Sequence, residues 1–211
     1  MRRGLFLSIE GPDGAGKTTQ LGYIKQFFEE RNIELVMTRE PGGTPIGESL
    51  REILLDKNNS EMSAITEMLI YAASRAQHVA QLIRPAINRG AVVICDRYMD
   101  SSIAYQGYGR GLGDMVEEVN LHAIDGLQPD LTIFLDLDPA VGKERILSDR
   151  NECDRLEQEK LDFHYRVYEG YKAVAKSYPK RVYSIDASRT IEEVRQDIHT
   201  KLEEICLERG I

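Results

Sequence analysis

Five short apolar runs recur along the chain, and most of them lack the alternation of a strand with one solvent face. Three of them are apolar at nearly every position, which is typical of strands buried on both faces of a parallel sheet. The five runs are LFLSI (Leu5 to Ile9), LVM (Leu35 to Met37), AVVIC (Ala91 to Cys95), LTIFLDL (Leu131 to Leu137) and VYSI (Val182 to Ile185).

Between these runs the apolar spacing changes to that of helices. Leu21, Ile24 and Phe28 follow a helical repeat, and so do residues 65 to 72. Tyr165, Tyr168, Tyr171 and Tyr178 form a tyrosine stripe, which we interpret as core packing and not as chemistry. Strands that alternate with helices predict an α/β fold with a five-stranded parallel sheet flanked by helices.

Composition and charge narrow the class of protein. The 211 residues are 42% apolar and 29% charged, which predicts a single folded domain over residues 1–211. The net charge of −8 predicts no nucleic-acid or membrane partner. Cys95, Cys153 and Cys206 are widely spaced, and the apolar run near the start is too short for a signal segment, so we expect a reducing, cytoplasmic location.

A glycine-rich stretch follows the first predicted strand. GPDGAGKT fits the pattern G-x-x-x-x-G-K-[ST], and an amphipathic helix opens at Lys17. In such a loop the amides and the lysine hold phosphates, while the hydroxyl of Thr18 binds Mg²⁺. A turn that only caps the helix is the alternative, but the context favours a P-loop NTPase-like domain. The predicted nucleotide-binding residues are Gly11, Pro12, Asp13, Gly14, Ala15, Gly16, Lys17, Thr18 and Thr19.

Carboxylates stand where two buried strands end. Asp96 ends AVVICD and Asp136 ends LTIFLD, and each suits either a helix cap or a magnesium-side position. Asp96 is the favoured candidate because Arg97 and a stretch rich in hydroxyl groups follow it. Ligands bind at this edge of an open parallel sheet.

Several arginines fall near the same predicted edge. A lone arginine is most often a solvated surface group, but guanidinium groups opposite strand ends suit bidentate binding of phosphate. A second anion site beside the first implies phosphoryl transfer to a phosphorylated acceptor. The arginines are Arg39, Arg51, Arg75 and Arg97.

A charged segment, KERILSDRNECDR, runs from Lys143 to Arg155 without the apolar stripe of a packed helix. A solvated helix face and a mobile lid around residues 146–156 both fit this pattern. A lid cation would neutralise charge on the moving phosphoryl group, and lid closure would exclude water.

With these residues in view, the chain resembles the bacterial thymidylate kinases, which have the nucleoside monophosphate kinase architecture. The phosphate loop alone is shared by many families, whereas TREPGG together with DRY…SSxAYQG is specific. The matching segments, in family order, are EGPDGAGKTTQ (10–20), TREPGGTPIGESLR (38–51), YAASRAQHV (71–79), DRYMDSSIAYQGYGRG (96–111), LQPDLTIFLDLDP (127–139) and DRLEQE (154–159).

The resemblance implies transfer of the γ-phosphoryl group of ATP to dTMP, giving dTDP and ADP, with Mg²⁺ and in a homodimer. Lys17 and Thr18 match the donor phosphate site. Asp96 matches a magnesium-side carboxylate, with Glu40 as a further candidate. The acceptor-phosphate clamp is matched by Arg97, Arg39 and Arg51.

The resemblance also assigns the nucleoside of the acceptor. Arg75, Ser102 and Gln106 match positions that read the edge of thymine. Tyr105 matches the position that lies against deoxyribose and excludes a ribose 2′-hydroxyl. Tyr71 stands where the family usually has a stacked phenylalanine, a departure that should preserve stacking.

Asp13 is a carboxylate within a loop built for phosphate. The resemblance assigns it a hydrogen bond from the 3′-hydroxyl of the acceptor. Family members carry either a basic residue directly after this carboxylate or a glycine there and the basic residue in the lid. Gly14 indicates the lid type, in which Arg150 matches the lid arginine. Three neighbours are close enough to compete: Lys143, Arg145 and Arg155.

Two other functions fit part of the pattern. A kinase for another nucleoside monophosphate would use the same motifs, whereas a kinase for a free nucleoside needs no arginines at the acceptor end. A P-loop switch that binds guanine carries an NKxD-type motif, which this sequence lacks. The loop from Asp186 to Thr190 is the predicted place for adenine contacts.

Overall fold

A computed structural model describes residues 4–149 and 155–211 of the chain. Five parallel strands form a sheet in the order β2-β3-β1-β4-β5, which confirms the predicted fold class. The strands are β1 (Phe6–Glu10), β2 (Leu35–Arg39), β3 (Val92–Asp96), β4 (Leu131–Asp136) and β5 (Val182–Asp186).

Helices connect the strands and cover both faces of the sheet. They are α1 (Lys17–Glu30), α2 (Pro45–Leu55), α3 (Ala64–His78), α4 (Arg84–Asn88), α5 (Met99–Ser102), α6 (Met115–Ile124), α7 (Pro139–Asp149), α8 (Leu161–Ser177) and α9 (Ile191–Arg209). Two π-helical segments, Val79–Ile83 and Ile103–Gly109, join α3 to α4 and extend α5. Among the described residues, none of the helices has the length and apolar character needed to cross a bilayer.

The strand register brings polar strand ends to one edge. Arg39 pairs with Asp96 across β2 and β3, and Ile9 pairs with Asp96 across β1 and β3. The pairing of β2 with β3 therefore continues two residues beyond Met37, where the apolar run ends. Polar residues are accommodated at this edge because it is where ligands bind to an open parallel sheet.

Two apolar layers hold the sheet, as the nearly continuous apolar strands predict. Leu7 and Ile9 of β1 pack on one face with Ile24 of α1, while Phe6 faces the other layer with Ile83. Side chains of successive strand residues point to opposite faces, so a strand buried on both faces must be apolar throughout.

The tyrosine stripe differs from the prediction of simple core packing. Tyr171 is buried, but Tyr165 is exposed, and Tyr178 lies just beyond the end of α8. The hydroxyl group of Tyr171 also reaches polar residues at the edge of the sheet. Helical spacing identified the helix, but it could not show that one tyrosine hydroxyl joins the site.

Candidate active site

A cavity of about 840 Å³ opens at the carboxyl edge of the sheet. It is continuous from the glycine-rich loop to the wall formed by α3 and the π-helical segment Ile103–Gly109. Gly11 and Pro12 do not line this cavity, and Arg150 lies outside the described residues. The predicted residues that line it are Asp13, Gly14, Ala15, Gly16, Lys17, Thr18, Thr19, Arg39, Glu40, Arg51, Tyr71, Arg75, Asp96, Arg97, Ser102, Tyr105 and Gln106.

The loop wraps around the ammonium group of Lys17. Its Nζ donates hydrogen bonds to the carbonyl oxygens of Gly11 (3.0 Å) and Pro12 (2.9 Å). Burial and the nearby Arg97 charge lower the pKa of Lys17 to about 8. Gly16 caps α1 with a positive φ of 89°, so the first amides of the helix face the cavity without a side-chain cap.

Gly14 is packed against α7. A Cβ atom at this position would lie 2.2 Å from the carbonyl oxygen of Gly142, and the φ of Gly14 is +77°. A basic side chain directly after Asp13 would therefore require the loop to move. The observed packing explains why the loop carries glycine there.

The Asp13 carboxylate turns toward the other half of the cavity. Its Oδ1 accepts a hydrogen bond from Nη2 of Arg97 at 2.5 Å, and its Oδ2 accepts one from the hydroxyl of Tyr105 at 3.0 Å. Burial alone would raise its pKa, but the charges of Arg97 and Lys17 outweigh that effect and lower it to about 2. Asp13 is therefore ionised and accepts hydrogen bonds. It lies between the phosphate loop and the predicted site of the nucleotide that receives the phosphoryl group.

Arg97 is held by several groups besides Asp13. Its Nη1 donates to the carbonyl of Gly11 (3.1 Å), to Ser101 Oγ (3.3 Å) and to Tyr171 Oη (2.8 Å). Its backbone adopts a φ of +66°, an uncommon value for an arginine. The side chain is thus oriented toward the phosphate loop by contacts from three directions.

Glu10, at the end of β1, lies directly behind this arginine. Its carboxylate accepts from the backbone N–H of Tyr98 (2.7 Å), from Ser101 Oγ (2.5 Å) and from Tyr171 Oη (3.2 Å). Burial and the negative charge of Asp100 raise the pKa of Glu10 to about 7. The hydroxyls that contact Arg97 are therefore themselves positioned by a buried carboxyl group.

Arg75 is almost fully buried in the opposite wall. Its Nε donates to Glu40 Oε2 (2.6 Å), and its Nη1 donates to Ser102 Oγ (2.9 Å) and to Asn120. The other Glu40 oxygen contacts His78 Nδ1 at 2.9 Å. Both oxygens of Glu40 are thus engaged, so this placement does not favour a magnesium-side role for Glu40.

Arg39 and Arg51 are two further arginines that line the cavity. Arg39 forms a bidentate ion pair with Glu48, with N–O distances of 2.7 and 2.9 Å. Mainly through this hydrogen bonding, the pKa of Glu48 falls to about 2. Arg51 donates to the carbonyl of Pro41 at 2.9 Å. Both arginines therefore line the same cavity as Arg97.

The structure separates the two candidate magnesium-side carboxylates. Asp96 Oδ1 is buried and, among the described residues, has no hydrogen-bond partner. Asp136 instead accepts a hydrogen bond from Tyr168 Oη at 2.7 Å. An unpartnered buried carboxylate oxygen beside the phosphate loop fits a hard cation, and the exposed residue Thr18 lines the same cavity.

The family model described as thymidylate kinase matches residues 9–198. The chain belongs to the thymidylate kinase family. A thymidylate kinase of Clostridium novyi is 48% identical over 200 residues, covering 94% of this chain and 98% of that protein. One of Lactobacillus delbrueckii is 53% identical over 195 residues, with coverages of 91% and 92%. One of Pediococcus pentosaceus is 49% identical over 205 residues, with coverages of 96% and 98%.

Residues 9–198, which the family model matches, include all the predicted residues that line the cavity. The cavity also extends past these residues to Arg145, Ala187 and Arg189. Arg145 Nη2 lies 3.3 Å from the carbonyl oxygen of Ala187, in the loop predicted to contact adenine.

Some residues that support the site carry no signal of that role in the sequence. Glu10 borders a recognised motif, but a polar residue at a strand end carries no local signal of burial. Tyr171 lies on a helix whose spacing predicted only packing. Their roles depend on contacts with residues distant in sequence, which a single sequence does not record.

Proposed function

We propose that this protein transfers the γ-phosphoryl group of ATP to dTMP, giving dTDP and ADP, as a step toward dTTP. The contact between Asp13 and Arg97 is the observation that carries the proposal. It joins the triphosphate loop to the predicted monophosphate site within one cavity. Adjacent anion sites are what direct transfer between two nucleotides requires.

At the donor end, the amides of the loop and Lys17 bind the β- and γ-phosphates. Mg²⁺, held by Asp96 and Thr18, would neutralise phosphate charge. The unpartnered Asp96 oxygen supports this assignment. The loop from Asp186 to Thr190 contacts the adenine of ATP, and its residues Ala187 and Arg189 line the cavity together with Arg145.

At the acceptor end, Arg97, Arg39 and Arg51 bind the phosphate of dTMP. Arg97 is pre-oriented by Asp13 and by two hydroxyl groups, so little ordering is needed when the phosphate binds. Charge-assisted, bidentate contacts of this kind fix both affinity and orientation.

The sugar and base lie deeper in the cavity. Asp13 accepts a hydrogen bond from the 3′-hydroxyl, and Tyr105, held by Asp13, occupies the space of a ribose 2′-hydroxyl. Tyr71 stacks on the thymine ring, while Arg75, Ser102 and Gln106 contact its polar edge. Burial of these polar groups in one wall supports this arrangement.

The remaining parts of the proposal concern the lid and the assembly. Residues 146–156 act as a mobile lid of a single domain, with Arg150 stabilising charge on the transferred phosphoryl group. The protein acts in the cytoplasm as a homodimer, without a nucleic-acid or membrane partner. Exposed apolar side chains on α2 and α3, including Ile53, Ile65 and Leu69, support the dimer.

A coupled assay of ADP release, with ATP, Mg²⁺ and a panel of nucleoside monophosphates, tests the function. We expect strong turnover with dTMP and little with AMP or GMP. Strong turnover with AMP or GMP and none with dTMP would contradict the proposal. Slow hydrolysis of ATP without dependence on any acceptor would instead favour a nucleotide switch.

A further inference from the structure

Glu67 is a buried carboxylate behind the wall of the cavity. It lies in the first turn of α3, is 1% exposed, and does not itself line the cavity. Arg110 donates to both of its oxygens, through Nε (3.2 Å) and Nη2 (3.0 Å). Arg155 Nη2 lies 2.7 Å from Glu67 Oε2. Two guanidinium groups therefore surround one carboxylate.

The groups around Glu67 keep its carboxylate ionised. Burial alone would raise its pKa, but hydrogen bonds from Arg110 and Gln106 and the positive charge of Arg110 outweigh that effect and lower the pKa. An ionised carboxylate accepts hydrogen bonds and cannot donate them. Any amide group that contacts Glu67 must therefore turn its NH₂ toward it.

Gln106 is the amide that makes this contact. Its Nε2 donates to Glu67 Oε1 at 2.9 Å, while the residue itself lines the cavity. Because Nε2 is directed behind the wall, the carbonyl oxygen Oε1 is the amide atom left for a ligand. Arg75, which can only donate, lines the same wall. The wall thus combines a fixed acceptor with a fixed donor.

We propose that Glu67 is a positioning residue that locks the Gln106 amide with its carbonyl oxygen toward the base and so selects thymine over cytosine. Thymine presents an N3–H donor beside its O4 acceptor, whereas cytosine presents an N3 acceptor beside an amino group. The locked carbonyl accepts from the N3–H of thymine and opposes the N3 lone pair of cytosine. The inference rests on the proposed function, because it concerns the base of that acceptor.

The test compares kcat/KM for three acceptors in Glu67→Gln and in the unaltered protein. A neutral amide at position 67 can donate or accept, so the Gln106 amide can turn over. We expect the ratio of kcat/KM for dTMP to that for dCMP to fall roughly tenfold or more. The ratio for dTMP to dUMP should stay within about threefold, because uracil presents the same N3–H and O4 groups.

These ratios separate positioning from structural damage. Any unfolded fraction lowers all rates equally and cancels in a ratio measured on one preparation. Glu61→Gln, which removes an exposed carboxylate six residues earlier, is the matched control and should leave both ratios unchanged. Gln106→Leu, which removes the amide itself, should lower the ratio for dTMP to dCMP as Glu67→Gln does.

The opposing outcomes are distinct. An unchanged ratio for dTMP to dCMP in Glu67→Gln overturns the inference. If that variant does not fold, an unchanged ratio in Gln106→Leu overturns it. A parallel fall in both ratios also overturns it, because general damage to the pocket then explains the change. If the unaltered protein does not phosphorylate dTMP, the proposed function fails first, and that result is visible before any variant is compared.

Discussion

The carboxylate of Asp13 lies 2.5 Å from the guanidinium of Arg97, which links the phosphate loop after β1 to the residue after β3. A carboxylate in a loop built for phosphate would repel the donor if it faced the triphosphate. Directed toward Arg97 and Tyr105, it instead faces residues that are proposed to bind the acceptor nucleotide. One loop can therefore contact both of them.

Asp13→Ala should impair the use of dTMP more than the binding of ATP. The change removes the proposed acceptor for the 3′-hydroxyl and one partner of Arg97, so kcat/KM for dTMP should fall about 10- to 100-fold. Steady-state kinetics with each substrate varied, together with calorimetry of ATP binding, measure the two effects. An equal loss for both substrates would mean that the carboxylate only supports the loop.

Asp96→Asn should raise the Mg²⁺ concentration that the enzyme requires. The change keeps the size of the side chain but removes the charge beside the loop, so the midpoint of Mg²⁺ activation should rise roughly tenfold or more. A titration of activity with Mg²⁺ at fixed ATP measures this shift. Asp136→Asn is the matched control, because Asp136 is already bound by Tyr168; a larger shift in that variant would exchange the two assignments.

Arg150→Ala should lower kcat by about 100-fold or more and change the KM for dTMP far less. A lid cation acts mainly on charge that develops during transfer, and removal of such a group commonly costs this much. Steady-state kinetics at saturating ATP provide the comparison. If kcat is unchanged, the role passes to Lys143, because Arg155 contacts the buried Glu67 and Arg145 contacts the carbonyl oxygen of Ala187.

The architecture was predictable because its signals are local. Leu5 to Ile9 is apolar at nearly every position because β1 is central and covered on both faces, and the glycine-rich loop must follow that strand. The end of β2 was not predictable from apolar spacing, because Thr38 and Arg39 pair with β3 through backbone groups that carry no side-chain signal.

The site was predictable only in part. Most of the residues matched by position do line one cavity, and the match depends on recognisable motifs. The supporting residues were not predictable, because Glu10 and Glu67 differ from surface glutamates only in what surrounds them. Glu40 shows the same limit, because its place in TREPGG did not reveal the contacts with Arg75 and His78.

Glu10→Gln should change how stability depends on pH. The pKa of Glu10 is about 7 in the folded protein and starts from a usual value of 4.5, so between these values the folded state keeps a proton that the unfolded state has lost. Rising pH in this window therefore favours unfolding, by up to about 3 kcal/mol from this group. The glutamine variant has no such titration.

Urea unfolding at pH 5 and at pH 8 measures this effect. The unfolding free energy of the unaltered protein, relative to that of Glu10→Gln, should be higher at pH 5 than at pH 8. Asp13 does not contribute within this window because its pKa is about 2. An identical difference at both pH values would show that Glu10 does not titrate between them.

The ion pair between Arg39 and Glu48 places a competing carboxylate on a residue that is proposed to bind the acceptor phosphate. Glu48 is ionised at neutral pH, since the hydrogen bonds from Arg39 lower its pKa to about 2. A ligand that takes the guanidinium of Arg39 must displace this carboxylate, and a dianionic phosphate has the charge to do so. An uncharged nucleoside has none. Glu48 therefore competes with every acceptor for Arg39, which favours acceptors that carry a phosphate.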